Sequence, residues 1–193
     1  RPDVEVVQAD VLDEASMVAA LNSIDAVFYL VHAMGLSGDF EQTDRIGAEN
    51  TCAAAAATGV GRIVYLGGLG DDDPTQLSDH LASRHEVGEI LASGPVPVTE
   101  LRAAVIIGSG SASFEMLRHL AEVLPAMICP RWVTTTKCQP IAIADVLNHL
   151  AGVLELEDEG DQIFEIGGPD VLTYREMMHR YASIAGLRRR LLA

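Results

Sequence analysis

Apolar positions along the chain switch repeatedly between a strand-like and a helix-like period. Val4 to Val7 predicts a short strand, and Asp10-Val11-Leu12-Asp13 leads into a helix over Ala15 to Leu21 with Asp13 as its N-cap. Ile24 to Val31 is a nearly continuous apolar run, the pattern of a parallel strand covered on both faces, so it is expected deep in a sheet. Phe40 to Thr58 is helical, polar at first and then Ala-rich, with Gly59 as its stop. Arg62 to Leu66 predicts the next strand, running into Gly67-Gly68-Leu69-Gly70 and an Asp71 to Pro74 loop. A helix over Ser78 to Ala92, a turn at Gly94 to Pro97 and a strand over Val98 to Ile107 follow, ending at Gly108-Ser109-Gly110.

Strands alternating with helices imply a parallel sheet with right-handed crossovers, whose ligands sit beyond the carboxyl ends of the strands. The loops after Val7, Val31, Leu66 and Ile107 are therefore expected on one rim. Past Ile107 the alternation loosens. A helix over Ser113 to Leu124, an irregular stretch from Pro125 to Pro140 and a helix opened by Asp145 read as a substrate-covering lobe. A strand over Gln162 to Ile166 and a helix over Tyr174 to Ala185, capped by Thr173, close the pattern, and Arg188-Arg189-Arg190 reads as a solvated helix end. The expected division is a nucleotide-binding domain over residues 1–110 and a lobe over 111–193 interleaved with its last strands.

Composition narrows the function. With 193 residues, 49% hydrophobic and 21% charged, the chain is long enough for one domain with its own core. A formal net charge of -15 argues against a nucleic-acid partner, because such a face must neutralise phosphates with Lys and Arg. Cys52, Cys129 and Cys138 form no CxxC pair and have no clustered His, so no metal site is expected and a reducing cytoplasm is. No apolar run reaches the roughly 20 residues of a membrane span, so no membrane partner is expected.

Several segments, in order, resemble the short-chain dehydrogenase/reductase superfamily, specifically its atypical NmrA-like and extended-epimerase-related members. They are Asp10-Val11 after a strand, Phe28 to His32, Asn50 in the Ala-rich helix and Ile63 to Gly68. Leu101-Arg102-Ala103, Pro140 to Val146 and Phe164 to Pro169 continue the series. The resemblance implies a Rossmann-type doubly wound α/β fold and NAD or NADP as cofactor. It implies that Asp10 and Val11 meet the adenine, and that Leu30, Val31 and His32 flank adenine and ribose. It also implies that Asn50 braces the helix behind the site, and that Gly67 and Gly68 lie against the cofactor. Gly108 and the lobe carrying Trp132 would face a small organic substrate.

The family's chemistry normally uses a Tyr, a Lys four residues on that lowers its pKa, and a neighbouring Ser or Thr. That triad is missing. Gly67-Gly68 stands at the Ser site, and the Tyr-x3-Lys positions read His80-x3-Arg84. Arg84 can donate to ribose hydroxyls, and His80 is the candidate proton donor because imidazole titrates near neutrality. On residue type alone, His80 and Arg84 equally well share a solvated helix face with Glu86 and Glu89.

The family's Gly-rich pyrophosphate turn is also missing, since Gly35-x2-Gly38 does not run straight into a helix and Gly67 to Gly70 is followed by acidic loop. The first and second strands, the second carrying the choice between NAD and NADP, are absent too, so the expectation is a fragment whose missing front precedes Arg1. The function expected is an NAD(P)-binding oxidoreductase or epimerase-like protein. The alternative is a non-catalytic dinucleotide sensor acting through a protein partner.

Overall fold

The computed structural model describes residues 3–33, 40–70, 77–157 and 160–192. Helix α1 (Glu14–Ala20) opens where the Asp13 carboxylate accepts from the Ala15 amide at 3.0 Å, satisfying a donor the helix cannot. Strand β1 (Ala26–Tyr29) leads to helix α2 (Phe40–Thr58) and strand β2 (Arg62–Gly68). Gly59, at φ 75°, reverses the chain between the last two. Helix α3 (Asp79–Ala92) starts at the Ser78 N-cap and precedes strand β3 (Val98–Ala103).

The chain continues through β4 (Ile106–Ile107), α4 (Ala112–Val123), β5 (Ala126–Ile128), α5 (Arg131–Thr135), β6 (Lys137–Cys138), β7 (Ile141–Ala142) and α6 (Ile143–Gly152). A 3₁₀ turn (Val153–Glu155), β8 (Gln162–Ile166), β9 (Leu172–Thr173), α7 (Tyr174–Ile184) and β10 (Arg190–Leu192) complete it. Thr173 and Glu176 form a reciprocal capping box at the start of α7.

Two compact units result, one of residues 1–102 and 150–165, the other of 103–149 and 166–193. In the first, β1-β2-β3-β8 form a sheet in that order, and β1 runs parallel to β2 with Ala26 opposite Arg62 and Tyr29 opposite Tyr65. Residues 150–165 join it because Arg62 donates to the Val153 carbonyl at 2.9 Å and Asp161 accepts from the Val98 amide at 2.8 Å. Its core holds Met17, Leu21, Ala48, Ala54, Ala55, Ile63, Val87, Leu91 and Val98. The second unit packs Leu117, Cys129, Val133, Met177 and Met178 together and pairs β5 with β10, β4 with β7 and β6 with β9.

The predicted α/β architecture with a parallel sheet is what forms, with local differences. Val4 to Val7 lies outside any strand and Val4, Val6 and Val7 are exposed, since an extended segment becomes a strand only against a partner ladder. For the same reason β1 is an edge of the described sheet and not its deep interior, with Phe28, Leu30 and Val31 exposed. The expected Val98 to Ile107 strand is two strands, because the Val105 carbonyl accepts from the Ile141 amide at 3.0 Å and draws β4 to a different partner. The stretch from Pro125 to Pro140 contains β5, α5 and β6, whose strands pair with partners distant in sequence. Arg188 to Arg190 is no helix end: Arg190 lies in β10, and Arg189 donates to the Ala121 and Glu122 carbonyls at the end of α4. The Gly35 to Gly38 and Asp71 to Pro74 readings lie outside the described residues.

Candidate active site

The first unit gathers its polar interior at the carboxyl ends of β1 and β2. Helix α2 buries one stripe, Asp44, Gly47, Ala48, Thr51, Ala54 and Ala55, at the three- and four-residue spacing of a helix face. Gly47 lets that stripe approach the sheet, since a Cβ there would lie 2.9 Å from the Tyr29 hydroxyl. Asp44 is 4% exposed. Its carboxylate accepts from the Ala33 amide at 2.8 Å and from the Ser83 hydroxyl at 3.3 Å, the compensation a buried charge requires.

His32 follows β1, with Nδ1 3.6 Å from the second Asp44 oxygen, just outside hydrogen-bond reach. Its ring faces that of His80 on the first turn of α3, with centroids 5.0 Å apart and planes tilted by 41°. Both His32 ring nitrogens are buried without a hydrogen-bond partner among the described residues. Burial pushes the His32 pKa below its ordinary value, Arg84 lowers it further, and Asp44 opposes both. His80 is lowered by burial, then by His32 and Arg84, again against Asp44.

Arg84 is already engaged. Its guanidinium donates to the Leu66 carbonyl and lies over the Tyr65 ring, 5.0 Å from the centroid, while its own carbonyl accepts from the Tyr65 hydroxyl at 3.0 Å. Tyr29 and Tyr65 are the phenols near this guanidinium, and neither is poised to give up a proton. Burial, then the Asp44 charge, pushes Tyr29 up to about 12 despite Arg84, and burial raises Tyr65 as well.

Gly67 and Gly68 end β2. Beneath Gly67 lies Glu100, 3% exposed and bound in a two-point pair to Arg102 at 3.0 and 3.2 Å. A Cβ at Gly67 would collide with Glu100 Oε1, and one at Gly88 would lie 2.7 Å from Oε2. The glycine at position 67 thus has a cause within the fold.

Asp10 is exposed and its Oδ1 accepts from the Leu12 amide at 2.9 Å, a local turn contact. The Val11 carbonyl accepts from Asn50 Nδ2 at 2.8 Å, so α2 holds this turn. Leu30 and Val31 stand 54% and 42% exposed after β1. Exposed apolar side chains and an exposed carboxylate fit the adenosine half of a dinucleotide, which offers a flat ring, an exocyclic amine and ribose hydroxyls.

In the second unit Gly108 packs on α6, where a Cβ would lie 2.6 Å from Ile143 Cγ2. Trp132 meets Tyr174 edge-on at 5.5 Å and lines an apolar cavity of 610 Å³ with Met116, Leu120, Met127 and Met178. Among the described residues no group of three His, Cys, Asp or Glu is placed to hold a metal, and no helix is long and apolar enough to cross a membrane.

Asp44, Ser83 and Glu100 are the site residues that sequence reasoning missed. For Asp44 the signal was present: it sits in phase with the small buried residues of α2. For Glu100 the signal was partial: Arg102, two residues on, shares its face of β3, whereas Gly67 of β2 and Gly88 of α3 meet it only in the folded chain.

A family model described as NAD(P)H-binding matches residues 1–108. Sanguinarine reductase from Eschscholzia californica is 29% identical over 133 residues, which are 66% of this chain and 45% of that protein. The chain thus spans about half the length of that curated relative. Among solved structures, UDP-N-acetylglucosamine 4-epimerase from Bacillus cereus superposes with a TM-score of 0.78 at 19% identity, over 100% of this chain and 73% of its own. MoeE5 in complex with UDP-glucuronic acid and NAD gives 0.77 at 18%, over 96% and 70%. At such identities these likenesses establish the fold, a Rossmann-type α/β domain. On the match over residues 1–108, the chain belongs to the NAD(P)H-binding family, as an atypical short-chain dehydrogenase/reductase relative whose cofactor is NAD or NADP.

Proposed function

We propose that the protein is an NAD(P)H-dependent reductase of a carbonyl on a small organic substrate, with His80 as the proton donor. The observation that carries this reading is the His32/His80 contact in front of a buried Asp44, at the end of the sheet where such folds bind ligands. When bound, the cofactor supplies hydride. Asp10, Val11, Leu30, Val31 and His32 would hold its adenosine end, and Asn50 fixes the Val11 backbone for that purpose. Gly67 and Gly68 would let it approach β2. Arg84 would reach the nicotinamide ribose with those guanidinium donors that the Leu66 carbonyl leaves over. His80 takes the part of the family's Tyr, whose work the raised phenols of Tyr29 and Tyr65 do not do. The relative named for reducing sanguinarine supports reductase over epimerase chemistry.

The second reading is a dinucleotide sensor acting through a protein partner. The engagement of Arg84 by the Leu66 carbonyl and the Tyr65 ring favours it, since a guanidinium so held is less available to a ribose. The test is to titrate the protein with NADPH by fluorescence and then follow NADPH oxidation with aldehydes, ketones and quinones. Saturable binding with oxidation of at least one class is expected. Saturable binding without turnover across the panel would favour the sensor, and no binding would overturn both.

A further inference from the structure

We propose that the cleft between α7 and the Arg188 to Arg190 segment is an anion site, which takes the phosphate group of a small organic molecule on Arg188 and Arg190. Every residue in it belongs to the second unit, and no part of it depends on the reductase reading.

The net charge of -15 is unevenly shared. The first unit carries 5 Lys and Arg against 23 Asp and Glu, whereas the second carries 8 against 5. An acidic chain thus contains a basic unit, and such asymmetry points to a partner of opposite charge. Within the second unit most of the acids are already engaged. Glu115 and Glu122 bind Arg118, Asp170 binds Arg180, and Glu176 closes the capping box with Thr173. Arg188 and Arg190 have neither an ion pair nor a side-chain hydrogen bond among the described residues.

The backbone gathers these charges in one place. Gly186, at φ 67°, ends α7 in a Schellman turn: its amide donates to the Ser183 carbonyl at 3.2 Å and the Leu187 amide to the Ala182 carbonyl at 2.8 Å. The turn sends the arginine run back beside the helix, where the Arg190 amide donates to the Pro125 carbonyl at 3.1 Å. An open cleft of 740 Å³ results, lined by His179 and Ser183, one turn apart on α7, and by Arg188, Arg189 and Arg190. Ala126 and Leu187 give it an apolar wall, and among the described residues no Asp or Glu lines it.

Helix C-termini carry partial negative charge, which an arginine run can serve merely to neutralise. Here that role falls to Arg189, which donates to the Ala121 and Glu122 carbonyls at the end of α4, while the Schellman bonds satisfy α7. Arg188 and Arg190 are surplus to it. Neighbouring guanidinium groups repel, and a dianion between them offsets that repulsion. Phosphate suits them because each planar fork can take two of its oxygens. A long polyanion suits the cleft poorly, since the chain as a whole repels it. The apolar wall favours an organic body on the phosphate.

The site is tested by titrating the whole 193-residue chain with phenyl phosphate at constant ionic strength and following the backbone amides by heteronuclear NMR. Saturable shifts centred on His179, Ser183, Arg188 and Arg190 are expected. An Arg188→Gln, Arg190→Gln double variant is expected to bind about 10-fold more weakly, since two charge-assisted contacts are lost. An Arg131→Gln, Arg175→Gln double variant, matched in charge but outside the cleft, is expected to bind within about twofold of the parent. Equal weakening in both variants, or shifts that grow without saturation, would reveal diffuse attraction and overturn the site. Shifts confined to Asp10, Leu30 and Val31 would overturn it and leave the cofactor reading standing. Binding to phosphatidylserine vesicles with no response to phenyl phosphate would overturn the small-molecule ligand. Should a variant not fold, the shift map of the unaltered chain decides alone.

Discussion

The two units of the molecule bury different things. Asp44, Thr51, Ser83, Thr99 and Glu100, the buried polar and charged residues among those described, all lie in the first unit. The ion pairs of the second, Arg118 with Glu115 and Glu122 and Arg180 with Asp170, lie towards solvent around a core of Leu, Val, Met and Cys. Burying a charge costs stability and a methionine core does not, so the two buried carboxylates of the first unit each need hydrogen-bonded partners there. One of them backs the His32/His80 pair. The other, Glu100, fills the space below Gly67 and sets the end of β2.

That contrast can be broken most forcefully at Glu100. Replacing Arg102 by Met leaves a buried carboxylate without its partner and is expected to destabilise the protein by about 3–5 kcal/mol, measured by urea unfolding. Gly67→Ser, which would restore the family's residue type, is expected to lower stability by about 1–3 kcal/mol because its Cβ meets the Glu100 carboxylate. It should not raise activity in a turnover assay.

The pH dependence of stability sharpens the same contrast. His32 and His80 have folded-state pKa values below their ordinary 6.5, so below that pH the unfolded chain binds more protons than the folded one. Their contribution is fully retained above 6.5 and is lost as pH falls from there towards the folded values. Unfolding midpoints compared at both ends of that window should drop on acidification, and drop less in a His32→Gln, His80→Gln double variant. The smallest effect is expected in the second unit, where Arg118→Ala removes two solvent-facing ion pairs, with Glu115 and Glu122, and should leave the unfolding midpoint nearly unchanged.

Much of the first unit is legible in the residues. Helix starts are local events, so Asp13 and Ser78 mark theirs, as Thr173 does in the second unit, and Gly59 marks an end. Strand placement is not local. Val4 to Val7 and Ala26 to Tyr29 have the composition of buried strands, yet only pairing decides whether they are, and β1 is an edge here. The break between β3 and β4 and the small strands between Pro125 and Pro140 likewise depend on partners far along the chain. At the site, His80 and Arg84 can be picked out by a resemblance that supplies positions. What surrounds them cannot: Arg84's hold on Leu66, the tilted contact of the two histidine rings and the carboxylate behind them arise where α2, α3 and the ends of β1 and β2 converge.

The central claim is that His80 gives the proton in an NAD(P)H-dependent reduction. It is tested most directly by measuring NADPH binding and NADPH oxidation side by side in the protein and in its His80→Gln variant, with a carbonyl substrate the protein turns over. Unchanged binding with turnover lowered by about 10²–10⁴-fold is expected, the range a positioned general acid contributes. Unchanged turnover in the variant would contradict the account.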